Sequence, residues 1–221
     1  MKTLSEIDTT SKRAARGAGF SWGIAEEVGK NMRLLELYGL PGIKNLNKFL
    51  KDYKEKQFQK ITLISETNNS NKYPFCPIIL GTNFIDQVNL LDKKSNIQIS
   101  NVAFPILFLP FVCRASEIIG KKIFLKIEEK EFLLNLNQSI YSNYLKNEIL
   151  ESCNKINISS NFIEKEFPKL VNTMEVNLLE NEDNFTDDEW NNLYKLSEET
   201  FVEESDSLKE GAAGAGLTDN D

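Results

Sequence analysis

The sequence predicts an α+β fold: N-terminal helices, a central mostly antiparallel sheet, and a C-terminal helix followed by a Gly-rich acidic tail. Three observations predict it. Apolar residues recur at helical spacing through residues 1–60. Beyond residue 74 the period shortens and short alternating runs follow one another. Late in the chain Thr186-Asp187-Asp188-Glu189 is a capping box, the start signal of one more helix.

Residues 4–16 read as an amphipathic helix with Leu4, Ile7, Ala14 and Ala15 on its apolar stripe. Arg13 and Arg16 are one turn apart and share a face. Gly17 and Gly19 end this helix. Ser21 is the N-cap of a second helix that runs to about Tyr38, with Ile24, Val28, Met32 and Leu35 as its stripe. Ala25 and Gly29 are small and four apart, so another helix can approach them closely. Gly39, Pro41 and Gly42 punctuate the chain before a third helix at 43–57, Lys-rich on its outer face.

Residues 65–74 are a polar loop. Ile78 to Val88 fits a short helix. Ile97–Ile99 and Ile106–Leu109 read as strands, the second bounded by Pro105 and Pro110. Ile123, Leu125 and Ile127 alternate, the chain turns at Glu128–Glu131, and Phe132–Leu136 returns as a hairpin. A helix is expected at 138–151. Ile156–Ser159 and Met174–Leu178 are further strands. Thr186 opens a helix to about Phe201, and Gly211–Asp221 has neither period. The chain is expected to form a single domain, 1–221, with a helical part at 1–60, an α/β body at 74–201 and a C-terminal arm at 202–221.

Composition excludes several chemistries. There is no histidine, which removes Ser-His-Asp and Cys-His nucleophile pairs and every His-ligated metal site. Cys76, Cys113 and Cys153 lie far apart with no C-x-x-C spacing, as expected of free core cysteines in a reducing compartment. The N-terminus has no apolar h-region, and the longest apolar run, Val102–Cys113, falls short of the roughly 20 residues a bilayer needs. A cytoplasmic protein without a membrane partner is expected. Residues 175–221 carry 15 acidic and 2 basic side chains, whereas residues 1–174 are net positive. The acidic segment either folds back on the body or is a solvated tail. Nucleic acid is not an expected partner, because that segment competes for any basic patch.

The chain is rich in Lys, Asn and Ile, residues of AT-rich codons. Gly, Ala and Arg run against that background, and they concentrate in 13–42 and 211–217. Residues that resist a compositional bias mark these two segments as special.

The same segments carry a resemblance. Arg13-Ala-Ala-Arg-Gly-Ala-Gly19, Trp22-Gly-Ile-Ala-Glu-Glu-Val-Gly29 and Gly39-Leu-Pro-Gly42 resemble the opening of an uncharacterised bacterial family, domain of unknown function 3726. Gly214–Asp221 is similar to that family's ending, and Cys76-Pro77 and Leu109-Pro110-Phe111 to its middle. The resemblance implies that the Gly-rich terminus belongs to the protein's design. It implies no activity.

Four constellations are candidate sites. Gly17–Gly23 leads into a helix N-terminus, where free N–H groups cradle an anion and Arg13 and Arg16 supply bidentate contacts; a tight αα-hairpin with a Gly C-cap has the same signature. Glu26 and Glu27 open the second helix, and Glu26 shares a face with Lys30 and Arg33. That is either a tuned general base or an ordinary i,i+4 pair. Arg114, at the end of a buried strand, either points into a cleft or forms a surface ion pair. Asp219 and Asp221 offer oxygen ligands on a Gly-rich arm, as a lid or for Mg²⁺, or else belong to a plain acidic tail.

The best reading is an enzyme or binding protein for a small anionic metabolite, a carboxylate. Arg13, Arg16, Gly17, Gly19, Arg33, Arg114, Asp219 and Asp221 would bind it, and Glu26 or Glu27 would do acid/base work of the lyase, isomerase or hydrolase kind. No resident metal and no particular cofactor is implied. The alternative is a non-catalytic accessory subunit or protein-interaction module, whose special segments meet a protein partner.

Overall fold

The computed structural model describes residues 1–94, 96–134, 139–143, 149–160, 174–175 and 183–200. Helices α1 (Leu4–Gly17), α2 (Trp22–Leu37) and α3 (Gly42–Glu55) come first. Strand β1 (Thr67–Asn68), helices α4 (Pro77–Asp86) and α5 (Val88–Leu91) and strand β2 (Asn96–Ala103) follow. A 3₁₀ turn at Pro105–Leu107 leads into α6 (Leu109–Ile119). Strands β3 (Ile123–Ile127), β4 (Lys130–Leu134), β5 (Ile140–Ser142), β6 (Ser152–Ser159) and β7 (Met174–Glu175) precede α7 (Asp187–Glu198). The fold is α+β.

Among the described residues, seven strands share one sheet in the order β1-β2-β6-β3-β4-β5-β7. β1 runs parallel to β2, and every other neighbouring pair is antiparallel. Ile97, Ile99, Leu125, Ile127, Ile156 and Ile158 all point into the core, as alternation along the strands requires. β2 and β6 cross-pair Ile99 with Ile156 and Ile97 with Ile158, and β6 sets Ile158 opposite Leu125. Cross-strand pairs of this kind are worth roughly 0.2–1 kcal/mol relative to Ala–Ala.

The N-terminal helices form because their sequence supplies both ends. Thr3 accepts from the Glu6 N–H while the Glu6 carboxylate accepts from the Thr3 N–H at 2.7 Å, a closed capping box. At the other end Phe20 N–H reaches the Ala15 carbonyl and Gly19 N–H the Arg16 carbonyl, a Schellman cap that needs the positive φ of Gly19, 103°. α2 ends the same way through Gly39 and Leu40. Gly29 permits the close crossing of α1 and α2: a Cβ there would lie 2.4 Å from the Asp8 carboxylate. α7 packs on α1 and α3, burying Trp190 and Leu193, and its own capping box at Thr186 and Glu189 is formed. Rings of Phe20, Phe49, Tyr53, Phe58 and Phe104 join these helices to the end of β2.

Three expectations are corrected. Ile106–Leu109 is not a strand; it spans the 3₁₀ turn and the start of α6. An apolar run buried on all sides has no period to read, and Pro105 and Pro110 each sit in the first turn of a helical element, where a missing N–H costs nothing. Phe104, at φ 42°, makes the left-handed step that turns the chain off β2. Arg114 consequently sits on a helix and not at a strand end. The expected helix at 138–151 is replaced at its start by β5, whose Leu134↔Ile140 and Phe132↔Ser142 pairings extend the hairpin by a third strand. Residues 144–148 of that helix lie outside the described residues, as do 135–136, most of Met174–Leu178 and the arm at 202–221.

Candidate functional site

Helices α2 and α6 bring three of the sequence's arginine and lysine candidates to one place. Lys30, Arg33, Leu34 and Leu37 of α2 face Cys113, Arg114 and Glu117 of α6 across an open cleft of about 210 Å³. The spacing follows from the helices: 30, 33, 34 and 37 recur on one face of α2, and 113, 114 and 117 on one face of α6. Leu34, Leu37 and Cys113 are its apolar lining, and Lys30, Arg33 and Arg114 are its cations beside one carboxylate, Glu117.

The charges are not equally engaged. Arg114 donates through Nη1 to the Glu27 carboxylate, with side-chain exposures of 30% and 20%. Glu27 also accepts from Lys30 at 2.8 Å. Burial opposes the charge on Glu27, but the hydrogen bonds and charges of Lys30 and Arg114 prevail and hold its carboxyl below the ordinary carboxylate range. Arg33 is exposed on the same cleft, and among the described residues no carboxylate pairs with it. Among the described residues, then, the cleft holds the Arg33 guanidinium without a carboxylate partner beside Arg114, which is paired with Glu27.

The remaining candidates fall elsewhere. Glu26 is exposed and pairs with Lys12 of α1 at 2.8 Å, which lowers its pKa; the expected face shared with Lys30 is taken by Glu27 instead. Arg16 donates to the Phe20 carbonyl at 3.0 Å and lies against the Trp22 ring. Arg13 is exposed on α1 and does not line the cleft. Gly17 meets α7, where a Cβ would come within 2.5 Å of the Leu196 carbonyl, and Gly19 serves the α1 cap. The N–H groups of Gly19 and Phe20 are thus committed to α1 carbonyls and are not free for an anion. Asp219 and Asp221 lie outside the described residues.

Burial pushes the Cys113 thiol up to about 11, with Glu117 adding to the effect, so no thiolate nucleophile stands in the cleft at neutral pH. Cys76 and Cys153 are likewise buried, reduced and pushed up, to about 11 and about 12. Among the described residues no cluster of three or more Cys, Asp or Glu side chains has metal-binding geometry. No helix among them is long and apolar enough to cross a membrane.

One residue was not singled out from the sequence. Glu36, in the last turn of α2, is only 4% exposed. Its Oε1 accepts the Ile43 N–H at 2.7 Å, at the N-terminus of α3. Burial, reinforced by Asp183 and Glu189, outweighs that hydrogen bonding and raises its carboxyl to about 8. The signal was legible: Glu36 stands four after Met32 and next to Leu35, a carboxyl inside an apolar stripe.

An α+β protein with a cationic cleft between two helices is the class that fold and site define. Residues 2–76 match the family described as Protein of unknown function (DUF3726), which bears out the resemblance read from the N-terminal motifs. The match takes in α1 to α3, hence Glu27, Lys30, Arg33 and Glu36, but not Arg114. The likeness at Gly214–Asp221 falls outside the matched residues. No curated protein and no solved structure matches the chain.

Proposed function

We propose that the protein binds a small carboxylate with a short apolar stem in the cleft between α2 and α6. The carrying observation is the Arg33 guanidinium, without a carboxylate partner among the described residues, beside Arg114 and the apolar Leu34 and Leu37. A carboxylate accepts two parallel N–H bonds from a guanidinium, a geometry Lys cannot supply. Leu34 and Leu37 would cover the stem. Glu27 acts through Arg114, as a positioning residue. Proton transfer by Glu26 or Glu27 is not part of this reading, because cations hold both as weakly basic carboxylates.

Thermal shift and calorimetric titration with acetate, butyrate, 2-oxobutyrate and succinate at low salt test it. At least one is expected to bind wild type and to bind Arg33→Gln about ten- to a hundredfold more weakly, the worth of a charge-assisted hydrogen bond. Binding that is indifferent to Arg33→Gln, or no binding across the panel, overturns the reading.

The second reading is an accessory or interaction module. It is favoured by Trp22, 48% exposed at the α1–α2 junction and flanked by Lys12 and Arg16. Three reduced cysteines support a reducing, cytoplasmic setting, and a core continuous from α1 through the sheet to α7 supports a single domain.

A further inference from the structure

A second pocket opens beside the first. It is walled by Met1–Leu4 and Ile7 on the α1 side, by Glu36 and Leu37 at the end of α2, and by Asp183–Phe185 ahead of α7. Leu37 lines both pockets. Glu36 is the deep polar group of this one. Its Oε1 is used on α3, and its Oε2 is buried with no hydrogen-bond partner. A buried carboxyl oxygen left unmet forfeits the hydrogen bond it would make to water.

We infer that this pocket is a binding site for a small primary ammonium compound with an apolar stem, its nitrogen donating to Glu36 Oε2 and the Asp183 carboxylate. Three features favour a cationic ligand. Glu36 Oε2 has no hydrogen-bond partner, and once its proton leaves it is a bare acceptor. Asp183 already faces an ammonium, since the Met1 amine stands 3.5 Å from its Oδ2 at the pocket rim, and its Oδ1 accepts the Lys2 N–H at 2.9 Å. The pocket lies at the C-terminal, negative end of α2, whose last turn holds no basic side chain. Leu4, Ile7, Leu37 and Phe185 supply the apolar wall for a stem of a few carbons.

Other charges around Glu36 do not reverse this. Asp183 and Glu189 face it from the α7 side and disfavour a second negative charge when the pocket is empty. On the α1 side Lys2 lays its ammonium over the Trp190 ring, 5.0 Å from the centroid. In the empty pocket Glu36 holds a proton at neutral pH. An arriving ammonium compensates the carboxylate, so binding sends that proton to solvent. Affinity therefore depends on pH through Glu36.

The test is calorimetric titration of the full chain with n-butylamine at pH 6, 7, 8 and 9, with 1-butanol and butyrate as controls. The amine is expected to bind about tenfold more tightly at pH 7 than at pH 6, with the gain flattening above pH 8, because affinity follows the ionised fraction of Glu36. Repeating the titration at pH 7 in two buffers of different ionisation heat is expected to register close to one proton released. Glu36→Gln, which mimics the protonated acid, is expected to fold and to lose both the pH dependence and at least tenfold in affinity. An affinity flat from pH 6 to 8, no proton release, or equal binding of 1-butanol overturns the proposal, whatever the variant does. Arg33→Gln leaves amine binding unchanged, which separates this site from the carboxylate cleft. A loss of amine binding in Arg33→Gln overturns the two-site assignment.

Discussion

Arg114 on α6 and Glu27 on α2 form an ion pair across the two helices that enclose the cationic cleft. The pair does two things at once. It ties α6 to α2, and it holds Arg114 on the cleft that Arg33 also lines.

Glu27→Gln is expected to cost about 1 kcal/mol, the scale of a partly exposed charge-assisted pair. The sign with pH follows from the lowered carboxyl pKa. The contribution is present above the ordinary carboxylate value of 4.5 and is lost as pH falls through the lower folded value. Urea denaturation at pH 7 and pH 3 checks it: the wild-type advantage over Glu27→Gln is present at pH 7 and shrinks at pH 3.

Glu36 carries the opposite sign. Its folded pKa is raised to about 8, so from 4.5 upward the folded state holds a proton the unfolded state has released. Wild-type stability is expected to fall as pH rises from 5 to 8 and then level off, by an amount on the order of 4 kcal/mol if Glu36 alone governed the slope. Glu36→Gln keeps an acceptor for the Ile43 N–H and removes this slope. Urea midpoints of the two proteins at pH 5.5, 7 and 8.5 are the measurement, and parallel curves would count against the raised value.

Two glycines of α2 separate space from conformation. Gly23 has open room around an ideal Cβ, so Gly23→Ala is expected to stabilise by roughly 0.5–1 kcal/mol through helix propensity. Gly29 has the Asp8 side chain and carbonyl within 2.7 Å of that position, so Gly29→Ala is expected to cost about 1–3 kcal/mol as α1 is pushed away. Chemical denaturation of the two variants should give shifts of opposite sign.

Arginine substitutions divide the sequence's candidates. Arg13→Lys is expected to leave carboxylate affinity unchanged, since Arg13 does not line the cleft. Arg33→Lys keeps the charge but not the fork, and is expected to weaken binding severalfold. Titration of both variants with whichever carboxylate binds wild type checks the contrast; equal losses would return Arg13 to the site.

The helices were legible where local chemistry sets them. Thr186 with Glu189, the glycines after α1 and α2, and the small pair Ala25 and Gly29 all acted as their types demand. Legibility failed at Pro105–Pro110, where burial on every side erased the period, and at Ile140–Ser142, where pairing with β4 and β7 overrode local preference. Among the site candidates, Arg33, Arg114 and Glu27 converge, but no spacing in the chain relates position 27 to position 114.

Residue types alone determined what the protein lacks and where its helices start and stop: no imidazole chemistry, no paired cysteines, caps at Thr186 and Gly19. Those are composition and nearest-neighbour effects, carried by side chains a few residues apart. Only the tertiary structure decided that Arg114 is held by Glu27 while Arg33 has no carboxylate partner among the described residues. It also decided that Glu36 is buried near Asp183, which raises its carboxyl pKa to about 8. Charge state and pairing depend on desolvation and on partners brought in from distant segments, and both arise only once α2, α6 and the segment ahead of α7 have packed together.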